Sequence, residues 1–315
     1  MRPETAADAL AELLSTLARR QHEHRAITAD RLTALTAAGL LPGDLQEMAV
    51  YYLAKAQRDL GRSADSRRGM QYVADAGGRL APAARRGLAH LARLAGDFPA
   101  VHAVVPTLGW PGRHHRVDGD IWWPHGDMPH AAAYKAARTE AEQHGVAGER
   151  ATSQAQRAFT LAFTGPDRAA DEIELARHLI SGLTLRQTGH TIDMAALVLD
   201  AGTDRNVLDR TSVLREEIRL SGVAITTAIL ELVVCFHHAV LDDGQGLTDT
   251  TAWLRDLTEG GDYAYYTDIA AFMADRPVLT SSARWIDGEP AVREQWRHLV
   301  LARRSRLPRR SRLQS

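Results

Sequence analysis

The sequence predicts an all-α fold, arranged as a solenoid of six or seven helical hairpins. Apolar residues recur at helical spacing, as Leu53, Ala56 and Leu60 do, so that they share one helix face. We find no alternating strand pattern and no hairpin dipeptide between strand-like runs. Short glycine-containing breaks return at intervals of 30 to 42 residues along the 315-residue chain. We therefore expect more than about 60% helix, against the usual ~30–35%.

Composition narrows the classes of function. The formal net charge of −1 points to neither nucleic acid nor a membrane surface. Cys235 is the only cysteine, so we expect no disulfide framework and no thiolate metal cluster, which fits a cytoplasmic location. The first residues carry early acids and no long apolar run, so no secretory signal is expected. The most apolar stretch, 223–240, contains Glu231, His237 and His238, and predicts a buried helix instead of a membrane span.

Four regions follow along the chain. We expect N-terminal helices in 1–44, repeats in 45–260, helices with an amphipathic cap in 261–304, and a basic, disordered tail in 305–315. In the third region, four residues share one helix face and are expected in the core: Tyr263, Tyr266, Ala270 and Met273. Six arginines between 303 and 312 suit nucleic acid or acidic lipid, but a solvated terminus is the simpler interpretation.

The breaks between helices share one local chemistry. A glycine ends a helix because it adopts a left-handed conformation at little cost. The Asp or Ser that follows caps the next helix through its side-chain oxygen. Asp97 and Asp127 are each followed two residues later by a proline, which is tolerated in the first helical turn. The turn glycines predicted in this way are Gly61, Gly96, Gly126, Gly165, Gly202 and Gly244.

These features resemble the tetratricopeptide repeat family, whose period is about 34 residues. The resemblance covers about 45–260 and rests on the turn glycine, a large-then-small apolar pair such as Leu53-Ala54, and small residues such as Ser66 early in the second helix. The large aromatic residue that the family has early in its first helix is replaced by Val50 and Ala84. The chain is also similar to the repeat arms of actinobacterial signalling and ATPase-linked proteins, although it has no GxxxxGK[ST] motif.

The resemblance implies a right-handed α-solenoid whose first helices line a concave groove. Two rows of side chains 35 residues apart would then lie side by side: Tyr51, Lys55 and Arg58, and Arg86, His90 and Arg93. Basic side chains suit a carboxylate or phosphate. Later first helices are apolar there, with Phe159, Phe163, Ile192 and Leu199. The groove is therefore expected to run from basic to apolar.

The segment 106–126 is expected to interrupt the regular hairpins. It holds three prolines, four glycines and three tryptophans, which cannot support a full first helix. Trp110, Trp122 and Trp123 either fill the space left by the missing helix or form loop contacts to a ligand. The surrounding segment also holds potential metal ligands, without a known metal-binding spacing: His114, His115, Asp118, Asp120, His125, Asp127 and His130.

A second motif lies at 236–246, where "FHHAVLDDGQG" resembles the HHxxxDG motif of condensation-type acyltransferases. His237, His238 and Asp242 have its spacing, but Asp243 stands where the glycine belongs. Those enzymes need a mixed α/β fold, which this sequence does not predict.

The sequence thus favours a non-enzymatic scaffold or sensor module that binds a protein or peptide segment, acidic or phosphorylated, without a cofactor. Two alternatives stay open. The chain could regulate a separate ATPase or DNA-binding protein, or it could be a metal-dependent enzyme that uses 114–130. The ligand and the oligomeric state do not follow from the sequence.

Overall fold

The structure is a computed structural model that describes residues 8, 11–16, 25–39, 41–131, 133–221, 223–259, 262–278 and 284–307. It is 80% helical and has no strand within these residues, which confirms the all-α class. Residues 11–16 are helical. The helices with both ends described are α1 (Arg25–Ala37), α2 (Gly43–Asp59), α3 (Ser63–Ala76), α4 (Ala81–Leu94), α5 (Phe98–Leu108), α6 (His114–Trp122), α7 (Met128–Ala131), α8 (Tyr134–Gln143), α9 (Ala147–Thr164), α10 (Pro166–Ile180), α11 (Arg186–Leu199), α12 (Val207–Ser221), α13 (Ala224–Leu241), α14 (Gly244–Thr258), α15 (Tyr265–Met273) and α16 (Glu289–Ser305).

The chain divides into two compact units. Unit 1 comprises residues 1–92 with 221–223, and unit 2 comprises 93–220 with 224–315. No helix within the described ranges is long and apolar enough to cross a membrane. The apolar stretch 223–240 lies largely in α13, as predicted, and its Glu231 is bound through both carboxylate oxygens by Arg215 at 2.7 and 3.0 Å.

Helix α2 is the central element of unit 1, because two different hydrophobic cores use its side chains. On one side Leu45 and Ala49 pack with Leu14 and Leu32. Ala54 belongs to the other core, together with residues from α3 and α4: Met70, Val73, Ala74, Ala84 and Leu91. The polar residues at the C-terminal end of α2 belong to neither group of buried core residues.

The turn glycines follow the predicted pattern at four of the six breaks. Gly61, Gly96, Gly126 and Gly202 adopt the left-handed region, with φ between 76° and 79°. The prediction is wrong for the other two. Gly165 has φ −134° and precedes α10 as its N-cap, and the break at Gly244 instead places Asp242 in the left-handed region at φ 63°. Asp tolerates this conformation better than most residues do.

Acidic side chains cap the helices that follow several of these turns. The Asp97 carboxylate accepts a hydrogen bond from the Ala100 backbone N–H at 3.2 Å, and that of Asp127 accepts one from His130 N–H at 2.9 Å. Asp243 does the same for the Gly246 N–H at 2.9 Å. Each carboxylate satisfies a backbone donor that the helix itself cannot.

The segment 106–126 contains no long helix. After α5 comes a 3₁₀ turn at Trp110–Gly112, then Arg113 at φ 58°, then the nine-residue α6. Nine residues give about two and a half turns, so the interruption expected from the prolines and glycines is present. Trp122 and Trp123 lie at its end, and both are buried.

Within unit 2, consecutive helices pair and alternate helices also pack on each other. Helix α9 contacts α10 and α11, α11 contacts α13, and α13 contacts α14 and α15. The helix α16 packs on α9, α13 and α15. The helix expected as an end cap therefore packs on helices that are far apart in the sequence.

Arginines near the end of α16 bind the C-terminal ends of three of these helices. Arg303 is buried, and its Nη1 donates to the carbonyls of Val198 at 3.2 Å and Leu199 at 2.7 Å, the last residues of α11. Its Nη2 donates to the carbonyl of Ala162 in the last turn of α9. Arg304 donates to Ala239 of α13 at 2.6 Å. Helix ends carry unsatisfied carbonyls and partial negative charge, which a guanidinium satisfies.

This arrangement corrects the predicted tail. Arg306 donates to the Thr164 carbonyl at 3.3 Å and Leu307 is buried, so 303–307 belong to the folded unit. Local sequence showed only a run of arginines, since their acceptors lie more than 60 residues away along the chain. The rest of the predicted tail, 308–315, lies outside the described residues.

We expect Arg303→Met to lower the free energy of unfolding by about 2–4 kcal/mol, because it leaves buried carbonyls without a donor at ~1–3 kcal/mol each. Burial lowers the pKa of Arg303 to about 10, so relief of its desolvation offsets part of this loss. Chemical denaturation measures the change. The control is Arg297→Met on the same helix, which loses only partly exposed ion pairs with Asp275 and Glu294. Equal stability of Arg303→Met and the parent would contradict the role given to these bonds.

Candidate functional site

Lys55 of α2 is a lysine whose ammonium group lies against aromatic rings. It is partly buried, and its Nζ lies 5.8 Å from the ring centroids of both Tyr51 and Tyr52. Burial and the positive charges of Arg58 and Arg86 lower its pKa to about 8, against the opposing effect of Asp59. No carboxylate of the described residues lies within 4.0 Å of its ammonium group. Lys55 is therefore a cation held in place without an ion-pair partner in that part of the chain.

Asp59 is already occupied by arginines. Arg58 donates to one of its oxygens through Nε at 2.9 Å and Nη2 at 2.7 Å, and Arg25 donates to the other at 3.4 Å. Burial works to raise the pKa of Asp59, but the charge and hydrogen bonds of Arg58 hold it below its ordinary value. Asp59 thus offers little further neutralisation to Lys55.

The structure brings together part of the predicted groove. Tyr51, Lys55 and Arg58 lie on α2, and Arg86 on α4 is close enough to lower the pKa of Lys55. His90 follows one turn later on α4 and is partly buried, as Tyr51, Arg58 and Arg86 are. We call Tyr51, Tyr52, Lys55, Arg58 and Arg86 the Lys55 cluster.

Arg93 does not belong to this cluster, and its assignment to a ligand groove was wrong. It belongs to unit 2, is 6% exposed and lies among buried polar groups of that unit. Burial works to lower the pKa of Arg93, but the phenol groups of Tyr265, Tyr266 and Tyr134 and the carboxylate of Asp120 raise it. Helical spacing places Arg93 on the same face of α4 as His90, three residues later. It does not show which residues pack against the C-terminal end of that helix.

The tryptophans of 106–126 serve mainly as packing residues. The ring of Trp123 packs edge-on against Phe159, with centroids 5.6 Å apart, and the Trp122 ring stacks on His130 at 4.2 Å. The burial of Trp122 and Trp123 agrees with the packing alternative and not with loop contacts to a ligand. Trp110 is partly exposed. Its ring stacks on the ring of His144, with centroids 4.3 Å apart, and the Arg113 guanidinium lies 4.1 Å from its ring centroid.

Most of the potential metal ligands in 114–130 have structural partners. The Asp120 carboxylate accepts a bond from the Tyr134 hydroxyl at 2.6 Å, and that of Asp118 accepts one from the Trp122 indole at 3.1 Å. Buried His125 binds the Ile121 carbonyl at 2.9 Å and accepts a bond from Ile286 N–H at 3.2 Å. Burial lowers the pKa of His125 to about 4, so that its ring is neutral at pH 7.

Two of the predicted ligands, His114 and His115, form a cluster with Glu140. A carboxylate oxygen of Glu140 lies 3.8 Å from His114 Nδ1 and 3.9 Å from His115 Nε2. Sequence reasoning missed Glu140, because α8 carries it 25 residues away from the histidine pair. Helical periodicity gives no signal for a contact between separate helices.

The residues of the HHxxxDG-like motif are also structural. The ring of His237 accepts a bond from the Gly202 N–H at 3.2 Å, and burial lowers its pKa to about 4. His238 binds the helix-capping Asp243 at 2.8 Å, and Asp242 pairs with Arg304 at 3.0 Å. The side chains therefore hold turns and helix ends together.

Two candidate sites remain: the Lys55 cluster in unit 1, and His114, His115 and Glu140 in unit 2. The first concentrates positive charge, and the second concentrates metal-ligating atoms. Comparison with known proteins gives no family model, curated protein or solved structure that matches this chain.

We expect the Lys55 ammonium to titrate near pH 8 and Lys55→Met to raise the thermal midpoint at pH 7, because the variant removes a desolvated, repelled charge. The two tyrosine ring faces offset part of that gain. From about pH 8 towards 10.5 the folded protein binds fewer protons here than the unfolded chain, so the parent gains stability and the difference closes.

The titration can be followed by NMR with isotope-labelled lysine, since Lys55 and Lys135 are the only lysines. Lys55→Met and Lys135→Met assign the two signals. A Lys55 signal that titrates at the ordinary value of 10.5, with a stability difference independent of pH, would contradict the environment described.

Proposed function

We propose that this chain is a helical-repeat binding module that docks an acidic or phosphorylated protein segment on the Lys55 cluster. Lys55 carries the proposal, because its ammonium is partly buried and has no carboxylate within 4.0 Å in the described part of the chain. A carboxylate or phosphate from a partner would stabilise this charge and form charge-assisted hydrogen bonds.

The surroundings of Lys55 suit a protein segment. Tyr51 and Tyr52 flank the ammonium, with ring centroids 5.3 Å apart, and each offers a rigid apolar face with a polar hydroxyl group. Arg58 presents the planar guanidinium that fits carboxylates and phosphates, although Asp59 uses part of it. In an extended segment, an acidic group would bind the cationic groups, and a neighbouring apolar side chain would pack on the tyrosine rings.

The scaffold is proposed to be a right-handed, tetratricopeptide-like solenoid. The left-handed turn glycines and the packing of α9 on α11 and of α11 on α13 support this proposal. Such repeats bind segments along the surface of their first helices. In unit 2 part of that surface is covered by the chain itself, since Trp296 of α16 packs on Phe163 with ring centroids 5.4 Å apart. This cover favours unit 1 as the place where a partner binds.

The proposal is tested with three fluorescent decapeptides that share one sequence except at two positions. The first peptide has glutamate and serine at these positions, the second has glutamine and phosphoserine, and the third has the neutral residues glutamine and serine. We expect an acidic peptide to bind and the neutral peptide not to. Lys55→Met should weaken binding by about tenfold or more, since charge-assisted hydrogen bonds contribute ~1.5–3 kcal/mol each. Fluorescence anisotropy at two salt concentrations measures these affinities.

The controls use other cations of the chain. Lys135→Met removes the same charge from an exposed position in unit 2, and Arg85→Gln removes one from the residue beside Arg86. Both should leave the affinity unchanged. Binding to the parent should also weaken between pH 7 and 9, as Lys55 loses its proton, and that decline should be absent in Lys55→Met. Equal losses in all three variants, or no binding of either acidic peptide, would refute the proposal.

A further inference from the structure

We propose that His114, His115 and Glu140 bind a divalent transition-metal ion, of the class of Zn²⁺, Co²⁺ or Ni²⁺. The site lies in unit 2 and is independent of the Lys55 cluster. Its three donor atoms all lie within 4.8 Å of one another, and the three residues are partly buried. No other group of three such ligands occurs among the described residues.

The donor set fits this class of ion. Two imidazole nitrogens and one carboxylate oxygen are borderline ligands that zinc and its neighbours prefer, whereas Ca²⁺ and Mg²⁺ prefer oxygen alone. With metal–ligand bonds of about 2.0–2.2 Å, the 3.8 and 3.9 Å separations from Glu140 to the two rings need only small side-chain rotations.

One atom of the cluster is available to bind a metal ion. His114 Nδ1 is shielded from solvent and has no hydrogen-bond partner. A buried polar atom without a partner is costly, and a bound metal ion would satisfy its lone pair. The ring of His115 lies beside it, with centroids 4.0 Å apart, so both rings reach the same carboxylate.

The charges around the cluster permit a cation. Arg113 and Arg116 flank the histidines, but both pair with Glu149, at 3.4 and 3.0 Å. Lys135 is exposed and lines the same shallow depression, which also contains Thr139 and Gln143. The repulsion between the exposed Lys135 ammonium and a bound metal ion is therefore strongly screened by solvent and salt.

The site offers three protein ligands and an open side. His115 and Glu140 face the depression, so a fourth position would be open to water or to an exchangeable ligand. Structural zinc sites usually have four protein ligands, whereas sites that exchange or activate a ligand have three. We therefore infer an exchangeable, solvent-accessible ion and not one that the fold requires.

The test is titration of the full chain with Co²⁺ and Zn²⁺. We expect one ion per chain, a visible Co²⁺ spectrum with nitrogen ligands, and displacement of Co²⁺ by Zn²⁺. Glu140→Gln keeps the side-chain shape and should weaken binding by at least about tenfold, since even the loss of an outer partner costs 10–100-fold. His115→Ala should do the same, and circular dichroism should show that both variants remain folded.

The matched control is His130→Ala. His130 is exposed in the same segment and lies 3.7 and 4.0 Å from the carboxylates of Asp127 and Asp118, so it could form a competing site. We expect this variant to bind as the parent does. The proposal is wrong if His130→Ala removes binding, if Glu140→Gln and His115→Ala bind like the parent, or if the parent binds no ion. Each of these results leaves the acidic-peptide test of the Lys55 cluster unaffected.

Discussion

The hydrogen bonds from the buried Arg303 to helix-end carbonyls join three helices of unit 2. Arg303 reaches Val198, Leu199 and Ala162, and so joins the ends of α11 and α9 to α16. A guanidinium in this position does two things at once: it satisfies carbonyls that the helices cannot, and it places a positive charge at the negative ends of helix dipoles. On the same helix, the ring of Trp296 packs on Phe163, and its indole donates a hydrogen bond to the Pro124 carbonyl at 2.9 Å.

Polar groups in the two candidate sites have fewer partners than the buried charges that stabilise the fold. Around Arg303 and Asp59, buried charges have several partners each, and these groups stabilise the fold. Among the described residues, Lys55 has no carboxylate within 4.0 Å, and the solvent-shielded Nδ1 of His114 has no hydrogen-bond partner. Groups that are partly buried and unsatisfied reduce stability, and proteins retain them mainly where a ligand completes them. Because of this contrast, we assign a binding role to Lys55 and His114 and a structural role to Arg303 and Asp59.

Local features of the fold could be predicted from the sequence, and contacts between distant segments could not. The all-α class, the left-handed Gly61 and the cap at Asp97 depend on a few neighbouring residues. The membership of Lys55 and Arg58 in one cluster followed from helical spacing. The burial of Arg93, the role of Arg303 and the contact of Glu140 with two histidines depend on helices far along the chain. Residue spacing identifies a helix face but not the element packed against it.

The position of Arg303 in the sequence has a consequence for the way the protein is made. Its acceptors at Leu199 and Ala162 precede it by 104 and 141 residues. Helices α9 and α11 are therefore synthesised well before the side chain that binds their end carbonyls. Synthesis proceeds at about 5–20 residues per second, so the interval between these helices and Arg303 is about 5–30 seconds. During that interval the nascent protein is open to chaperones and to pairing with another copy.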